Sequence, residues 1–342
     1  MNIEEKSNKY IGYCVKQVSG FGIILFFCYN YLMTVTELLM KTKNAIGRVE
    51  AEQLLCTVLR KDRSFFFAHG GDDLEAALQA EFAAEDGAKP KGCADCSELL
   101  ATIDSMVAER LRGRPLQYVL GTAEFMGMEF AVNEAVLIPR PETELLCEEA
   151  ARILRKAQAK YGAAGAVNDT ARSGAQMSVL DICTGSGCIA VYLASRFPRA
   201  DVTASDISAD ALSVAAENAH RLLDCNSVRF VQSDLFEAIA GRFDLITANP
   251  PYIPSEAVLT LQKEVAEYEP HLALDGGREG WELPVSLIRD AAGHLKPQGV
   301  LLMEIGDDQG SIVSAEARLS GFTDCKIIKD YSGQDRFLKA RK

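Results

Sequence analysis

The chain has 342 residues and a net charge of −12 at pH 7, and this length suits two domains better than one. Hydrophobic residues make up 48% of the sequence and charged residues 25%, which is ordinary for a soluble globular protein. The negative charge argues against a protein whose affinity depends on a nucleic-acid phosphate backbone, so we expect no direct nucleic-acid partner.

Ten cysteines are scattered along the chain without the spacing of a disulfide framework. Cys93 and Cys96 form a C-x-x-C pair, but no second pair follows at zinc-finger spacing. We therefore expect reduced thiols in a cytoplasmic protein and no metal site.

The first 32 residues contain most of an apolar run, residues 20–33, that is short for a membrane span. The run lacks a small-residue cleavage site, so a signal peptide fits it poorly. We expect residues 1–32 to be a non-native or flexible extension, with translation beginning at Met33 and no membrane contact. Tethering to a membrane is the alternative interpretation of this run.

Residues 33–114 carry apolar side chains at helical spacing, such as Leu54, Leu55 and Val58, and no strand pattern interrupts them. This pattern predicts a small helical domain, whose first helix would have Thr36 as its N-cap. We expect the domain to recognise a protein substrate, with simple packing as the alternative.

Residues 115–141 predict a hairpin connector, with strands at 118–121 and 126–132. Pro141 would then open a helix, since a proline in the first turn loses no hydrogen bond. Residues 157–177 are polar and rich in alanine and glycine, and we expect them to form a flexible loop.

Strand and helix patterns alternate after this loop, and residues 142–342 are therefore expected to form a doubly wound α/β domain. Its sheet would be Rossmann-like and seven-stranded, and the last two strands would form an antiparallel pair. The predicted strands are residues 178–183, 201–206, 228–232, 243–248, 299–305, 324–329 and 336–340.

A glycine-containing run follows the first of these strands, and it consists of Asp181, Ile182, Cys183, Thr184, Gly185, Ser186 and Gly187. Glycines at such a junction let the backbone approach a ligand and expose N–H groups at the start of a helix. With Ala190 the run also satisfies G-x-G-x-x-A, so it does not distinguish a dinucleotide from S-adenosylmethionine. A tight structural turn is the alternative.

Acidic residues follow the next two strands. Asp206 ends the second strand, where a carboxylate could accept hydrogen bonds from ribose hydroxyls. Asp234 follows the third strand and could accept from an adenine amino group, while the backbone of Leu235 meets the ring edge. Each aspartate alone is explained by a surface turn, but together with the glycine run they predict a nucleoside site.

The run Asn249-Pro250-Pro251-Tyr252 follows the fourth strand. The two prolines end the strand because they remove backbone donors and fix φ. Asn249 is therefore held at the carboxyl end of a strand, which is where open α/β sheets bind ligands. A turn that only ends the strand is the alternative for this run taken alone.

These runs, in their order, resemble the HemK-type peptide chain release factor glutamine N5-methyltransferases. The resemblance extends from about Met33 to the C-terminus. It depends most on two runs, Ile-Pro-Arg-Pro-Glu-Thr-Glu at 138–144 and Leu-Ala-Leu-Asp-Gly-Gly at 272–277. Asn-Pro-Pro-Tyr alone also occurs in N6-adenine DNA methyltransferases. Cys183 departs from the family, which often has glycine there.

The resemblance implies a methyltransferase that uses S-adenosylmethionine and modifies the glutamine of the Gly-Gly-Gln motif in class 1 peptide chain release factors. We expect the protein to be a monomer. Asn249 Oδ1 and the Pro250 carbonyl could each accept one N–H of the glutamine amide, and the Tyr252 ring could stack on it. The substrate would contact Asn249, Pro250, Pro251 and Tyr252. The cofactor would contact Asp181, Cys183, Thr184, Gly185, Ser186, Gly187, Asp206, Asp234, Leu235 and Asn249.

Three other functions are weighed against this one. An N6-adenine nucleic-acid methyltransferase would flip a base into the same pocket, but it should carry a basic face. A release-factor or ribosome-binding module without activity would have no need of Asn249 or Asp206. A dinucleotide oxidoreductase has no role for Asn249 in hydride transfer.

Overall fold

The structure is a computed structural model that describes residues 33–84, 96–164, 176–223 and 228–342. These residues form two compact units, one ending at Leu111 and the other running from Arg112 to Lys342. The predicted extension, residues 1–32, lies outside the described residues. None of the described helices is long and apolar enough to cross a lipid bilayer.

The first unit is helical, and its first helix begins at a capping box. Thr34 accepts from the Glu37 backbone N–H, and the Glu37 side chain accepts from the Thr34 backbone N–H. The prediction of Thr36 as N-cap is therefore wrong, because only Thr34 lies three residues before a glutamate. Recognition of a substrate by this unit stays a prediction. Its described helices are α1 (Val35–Ile46), α2 (Arg48–Leu59), α3 (Arg63–Ala68), α4 (Leu74–Ala84) and α5 (Cys96–Leu111).

The second unit begins with a short helix and a hairpin: α6 (Leu116–Leu120), β1 (Thr122–Phe125) and β2 (Met128–Ala131). The strand predicted at 118–121 is wrong, because Pro115 begins a helical turn that Gly121 ends with a φ of 75°. The Tyr118 hydroxyl donates to the Val136 carbonyl at 2.6 Å and fixes the turn to the following loop.

A long helix, α7 (Pro141–Ala164), begins at Pro141 as predicted. It continues through residues 157–164, which were expected to belong to a flexible loop. The prediction is wrong there because alanine, glutamine and lysine, which are good helix formers, predominate in this stretch. Residues 165–175 of the predicted loop lie outside the described residues.

The main sheet has the strand order β5-β4-β3-β6-β7-β9-β8, and it confirms the predicted doubly wound, Rossmann-like fold. Neighbouring strands are parallel, except that β9 runs antiparallel to both β7 and β8. The strands are β3 (Ser178–Ile182), β4 (Asp201–Asp206), β5 (Val228–Gln232), β6 (Phe243–Ala248), β7 (Leu295–Glu304), β8 (Asp324–Lys329) and β9 (Asp335–Arg341).

Helices connect these strands and cover the sheet. The sequence predicted the helices at 188–197 and 209–222 and the helix around 285–295, but it gave no prediction for the last one, α13. The described helices are α8 (Cys188–Arg196), α9 (Ala209–Leu222), α10 (Ser255–Val258), α11 (Lys263–Tyr268), α12 (Glu282–His294) and α13 (Gly310–Leu319).

Both faces of the sheet are buried, because consecutive strand residues pack into two separate clusters. Val179 and Leu245 belong to the cluster that includes residues of α7 and α8. Leu180 and Ile246 belong to the cluster that includes residues of α12 and α13. All four side chains are completely buried. The inner strands therefore read as continuous apolar runs and not as an alternation.

The strand order reverses between β3 and β6. From β3 the chain moves outward through β4 and β5, and it then returns to the other side of β3 as β6. Ile182 and Ala248, the last residues of β3 and β6, are paired in register. The glycine run and Asn249 therefore leave the sheet side by side, at the crevice where this fold binds ligands.

Candidate active site

A cavity of about 180 Å³ lies at the carboxyl ends of β3, β4, β5 and β6, and residues after all four strands form part of its wall. The structure therefore brings most of the predicted site together. The predicted residues on the wall are Cys183, Thr184, Gly185, Ser186, Asp206, Asp234, Leu235, Asn249 and Pro251. Four predicted residues are not on the wall: Asp181, Gly187, Pro250 and Tyr252.

The glycine run forms a tight loop in which Cys183, Gly185 and Gly187 have φ values of 56°, 53° and 77°. Glycine adopts this left-handed conformation freely, whereas a side chain such as that of Cys183 costs about 1 kcal/mol. Burial raises the pKa of the Cys183 thiol, so the thiol stays protonated. The Gly185 N–H donates to Asp206 Oδ2 at 2.9 Å, which fastens the loop to the end of β4.

Asp181 lies beneath the loop and is completely buried. Thr184 Oγ1 donates to Asp181 Oδ2 at 2.6 Å, and Thr247 Oγ1 donates to Asp181 Oδ1 at 2.8 Å. Burial raises the pKa of the Asp181 carboxyl to about 7, despite the two hydroxyl donors, which lower it. Asp181 thus ties the glycine loop to β6, and its predicted contact with a cofactor stays a prediction.

The two other predicted carboxylates lie on the cavity wall. Asp206 accepts from the backbone N–H groups of Gly185 and Ser208, so the orientation of its carboxylate is fixed. Burial raises the pKa of the Asp206 carboxyl. Asp234 is exposed, and Leu235 beside it has a φ of 43°. A leucine held in this conformation is strained, as residues at ligand sites often are.

Asn249 is partly buried, and its Nδ2 donates to Thr143 Oγ1 at 3.3 Å. Among the described residues, none donates a hydrogen bond to Asn249 Oδ1. The Tyr252 hydroxyl donates to Glu304 Oε1 at 3.2 Å, and burial raises the pKa of this hydroxyl. Pro250, which lies between these two residues in the sequence, is buried. The run therefore presents one free side-chain acceptor and one neutral, anchored aromatic ring.

The Leu-Ala-Leu-Asp-Gly-Gly run packs against the backbone that follows Asn249. Ile253 donates from its N–H to the Leu274 carbonyl and accepts at its carbonyl from the Gly276 N–H, at 3.0 and 2.9 Å. A Cβ on Gly276 would lie 2.4 Å from the Gly280 carbonyl oxygen and 2.7 Å from Tyr252 Cα. The glycine is needed because no side chain fits there.

Arg140 lies on the cavity wall and forms an ion pair with Glu269, which is 3% exposed. Glu269 also accepts from the Ile138 N–H at 3.4 Å. Sequence reasoning left the role of Glu269 open. The structure shows that this glutamate fixes Arg140, which is the only cation among the described residues of the wall.

Several supporting polar residues were missed by sequence reasoning. Asn218 on α9 is completely buried, donates to the carbonyls of Ser186 and Ala131, and accepts from the Ala131 N–H. Glu304 follows the apolar residues 300–303 of β7, and a charge at the end of a buried strand was the available signal. The other missed residues are Thr143, Thr247 and Gln309.

Two glycine substitutions test the packing of the loop. Gly187→Ala incurs the cost of a positive φ and also places a Cβ 2.9 Å from the Cβ of Ala215 on α9. Gly185→Ala incurs only the cost of the positive φ, about 1 kcal/mol, because its Cβ meets open space. In urea denaturation, we expect Gly187→Ala to lower the free energy of unfolding at least about twice as much as Gly185→Ala does. Equal losses would contradict this packing.

The burial of Asp181 predicts a pH dependence of stability. Its folded-state pKa, about 7, lies above the ordinary value of 3.8, so the folded protein keeps a proton that the unfolded chain releases. This contribution to stability is complete below about pH 4 and is lost as the pH rises through about 7. Asp181→Asn should therefore reduce the fall in the free energy of unfolding between about pH 5 and 8.

The matched control is Asp210→Asn, which changes an exposed aspartate in the first turn of α9. Urea denaturation at several pH values should give this control the wild-type slope. A wild-type slope for Asp181→Asn as well would show that Asp181 is not protonated in the folded protein.

Comparison with known proteins identifies the family. Residues 168–278 match the family "Methyltransferase small domain". The relatives include proteins named release factor glutamine methyltransferase, of which three are described. The one from Geobacter sulfurreducens is 41% identical over 71% of this chain and 79% of its own length. The one from Chlorobaculum tepidum is 45% identical over 67% of this chain and 75% of its own length. The one from Koribacter versatilis is 38% identical over 86% of this chain and 91% of its own length. The chain therefore belongs to the release factor glutamine methyltransferase family.

Proposed function

We propose that the protein transfers a methyl group from S-adenosylmethionine to the side-chain amide nitrogen of the glutamine in the Gly-Gly-Gln motif of class 1 peptide chain release factors. The observation that carries this proposal is the position of Asn249 on the cavity wall, with its Nδ2 bound to Thr143 and its Oδ1 left to accept. The family supports the identity of the acceptor, since the relatives are named for the glutamine of a release factor.

The chemistry of the side chains on the cavity wall suits S-adenosylmethionine. Asp206 and Asp234 place carboxylates after β4 and β5, where ribose hydroxyls and an adenine amino group would donate hydrogen bonds. Leu235 offers an apolar contact for the ring. Arg140, held by Glu269, suits the carboxylate of the methionine part. These residues would hold the cofactor.

The chain's own residues would prepare the acceptor nitrogen. S-adenosylmethionine supplies an electrophilic methyl group when it is bound. An amide nitrogen is a weak nucleophile because its lone pair is delocalised into the carbonyl. Asn249 Oδ1 and the Pro250 carbonyl would each accept one N–H, which orients the nitrogen and stabilises the positive charge that develops on it.

The same two acceptors would select the substrate. A side chain without an NH₂ group would leave both acceptors unpaired in a buried site, and this mismatch costs binding free energy. The Tyr252 ring would stack on the planar amide, and its hydroxyl stays neutral because burial raises its pKa. The proposal includes direct action on the release factor through the helical unit, by a monomer in the cytoplasm.

An N6-adenine nucleic-acid methyltransferase is the alternative, because an adenine amino group would also suit Asn249 and Pro250. The net charge of −12 weighs against it, since binding to nucleic acid depends on contacts with phosphates. The names of the three relatives also favour the release factor.

One assay separates the two substrates. The purified protein would receive labelled S-adenosylmethionine with a class 1 release factor in one reaction and with DNA in another. We expect label in the release factor, at the glutamine of Gly-Gly-Gln by mass spectrometry, and none in DNA. Label in DNA alone would overturn the proposed function.

Replacement of Asn249 tests its role directly. Asn249→Ala removes the side-chain acceptor, and we expect kcat to fall by about 100-fold or more, as when one preorganised group is lost from an active site. Calorimetry should show S-adenosylmethionine affinity within about fivefold of wild type, because the other cofactor contacts remain. Asn133→Ala, an exposed asparagine off the cavity wall, is the control. Turnover of Asn249→Ala within a few-fold of wild type would refute this role.

A further inference from the structure

We propose that Glu304 is a positioning residue for methyl transfer: through Thr143 it sets which end of the Asn249 amide faces the substrate. This inference rests on the proposed function, because it concerns how the same acceptor is oriented. Neither sequence reasoning nor the family resemblance gave Glu304 a role.

Glu304 lies directly behind the Asn-Pro-Pro-Tyr run and not on the cavity wall. Its Oε2 accepts from Thr143 Oγ1 at 2.8 Å, and Thr143 Oγ1 in turn accepts from Asn249 Nδ2 at 3.3 Å. Its Oε1 accepts from the Tyr252 hydroxyl at 3.2 Å. One carboxylate thus contacts Tyr252 directly and reaches Asn249 through a single hydroxyl.

The direction of the hydrogen bonds from Asn249 through Thr143 to Glu304 decides the orientation of the Asn249 amide. A threonine hydroxyl has one proton, and here that proton goes to Glu304. Thr143 can then only accept from Asn249, so Nδ2 must face Thr143 and Oδ1 must face away from it. If Thr143 instead donated to Asn249, the amide would turn and present NH₂ to the NH₂ of the substrate.

The second contact holds the aromatic ring. Tyr252 is bound at its hydroxyl by Glu304, and its backbone carbonyl accepts from Gln309 Nε2 at 2.8 Å. Gln309 also accepts from the Gly306 N–H at 3.1 Å. The last residue of β7 and the segment after it therefore hold Tyr252 at its hydroxyl and at its backbone carbonyl. Glu304 therefore positions both groups of the run that would meet the glutamine amide.

The burial of Glu304 is hard to explain by stability alone. The side chain is 2% exposed, and within the described chain it forms no ion pair, since Arg336 pairs with Asp330 instead. Arg336 lies near enough to lower the pKa of Glu304, but without a direct ion pair the buried carboxylate still lowers stability. An apolar side chain of similar size would pack there at lower cost. The hydrogen bonds to Thr143 and Tyr252 give the carboxylate a function that an apolar residue could not supply.

Protonation of Glu304 gives a second readout. Burial raises its pKa to about 7, so at lower pH the carboxyl group gains a proton to donate and the fixed order of donors is lost. We expect kcat to rise with pH through about 7 in wild type. The other titratable or charged groups that interact with Glu304 are Glu142 and Cys147 on α7, Cys188 on α8, Tyr252 after β6 and Arg336 on β9.

The test is steady-state kinetics of the full chain with release factor as acceptor. Glu304→Met, which fills the space without accepting, should lower kcat about tenfold or more, while the KM for release factor and the Kd for S-adenosylmethionine change less than about threefold. Glu304→Gln should lose less activity, because its side chain still accepts from one hydroxyl. The kcat of this variant should no longer fall as the pH is lowered through about 7. Thr143→Val should reproduce the part of the loss that comes from Asn249, since Tyr252 keeps its hydrogen bond to Glu304. Thr143→Ser should retain most of the wild-type kcat.

The matched control is Glu149→Gln, a buried glutamate on α7 that pairs with Lys339 at 2.7 Å and contacts neither Asn249 nor Tyr252. Its kcat should stay within about twofold of wild type. The double variant Glu304→Met with Thr143→Val should be no slower than Glu304→Met alone, since that single variant already breaks the hydrogen bonds that run through Thr143. A wild-type kcat for Glu304→Met, or equal losses of kcat, cofactor affinity and thermal stability, would overturn the inference.

An NMR measurement separates this inference from the proposed function. The side-chain amide signal of Asn249, identified by its absence in Asn249→Ala, should shift in Glu304→Met and stay in place in Glu149→Gln. If the wild-type protein modified no release factor, the proposed function would fail while a shifted signal would still support the positioning role. An unshifted signal in Glu304→Met would contradict that role, whatever the activity.

Discussion

The hydrogen bond between Asn249 and Thr143 is the interaction on which the site depends. An asparagine amide has an acceptor at one end and a donor at the other, and its neighbours decide which end faces a ligand. Thr143 takes the donor, so the acceptor remains for the substrate. The two prolines that follow restrict φ, so the backbone that carries the Pro250 carbonyl is rigid. In the proposed function, the selectivity for an NH₂ group follows from one oriented amide on a rigid segment.

The sheet places the glycine run and the Asn-Pro-Pro-Tyr run side by side at the point where its strand order reverses. Asp181 lies at that point and binds Thr184 of the glycine loop and Thr247 of β6. Asp181 and Glu304 are both buried carboxyl groups whose pKa is raised to about 7, so each lowers stability in its charged form. These two buried carboxyl groups, Asp181 and Glu304, therefore stabilise the geometry of the site more than they stabilise the fold.

The fold could be predicted from the sequence, because parallel strands buried on both faces give continuous apolar runs separated by helices. Part of the cavity wall was also predictable, since Asp206 ends a strand and Asn249 directly follows one. Tyr118 was placed in a strand because tyrosine and valine favour strands, but the flanking Pro115 and Gly121 enforce a helical turn. Glu304 was not found, because its partners lie far away in the sequence and only the fold brings them together.

The central claim is that the oriented Asn249 amide and the Pro250 carbonyl bind the NH₂ group of a release-factor glutamine. The most direct measurement is a crystal structure of the protein with S-adenosylhomocysteine and a class 1 release factor. The account predicts the glutamine nitrogen within about 3.2 Å of both Asn249 Oδ1 and the Pro250 carbonyl oxygen. A glutamine amide bound elsewhere, or an Asn249 that turns its Nδ2 toward the substrate, would contradict it.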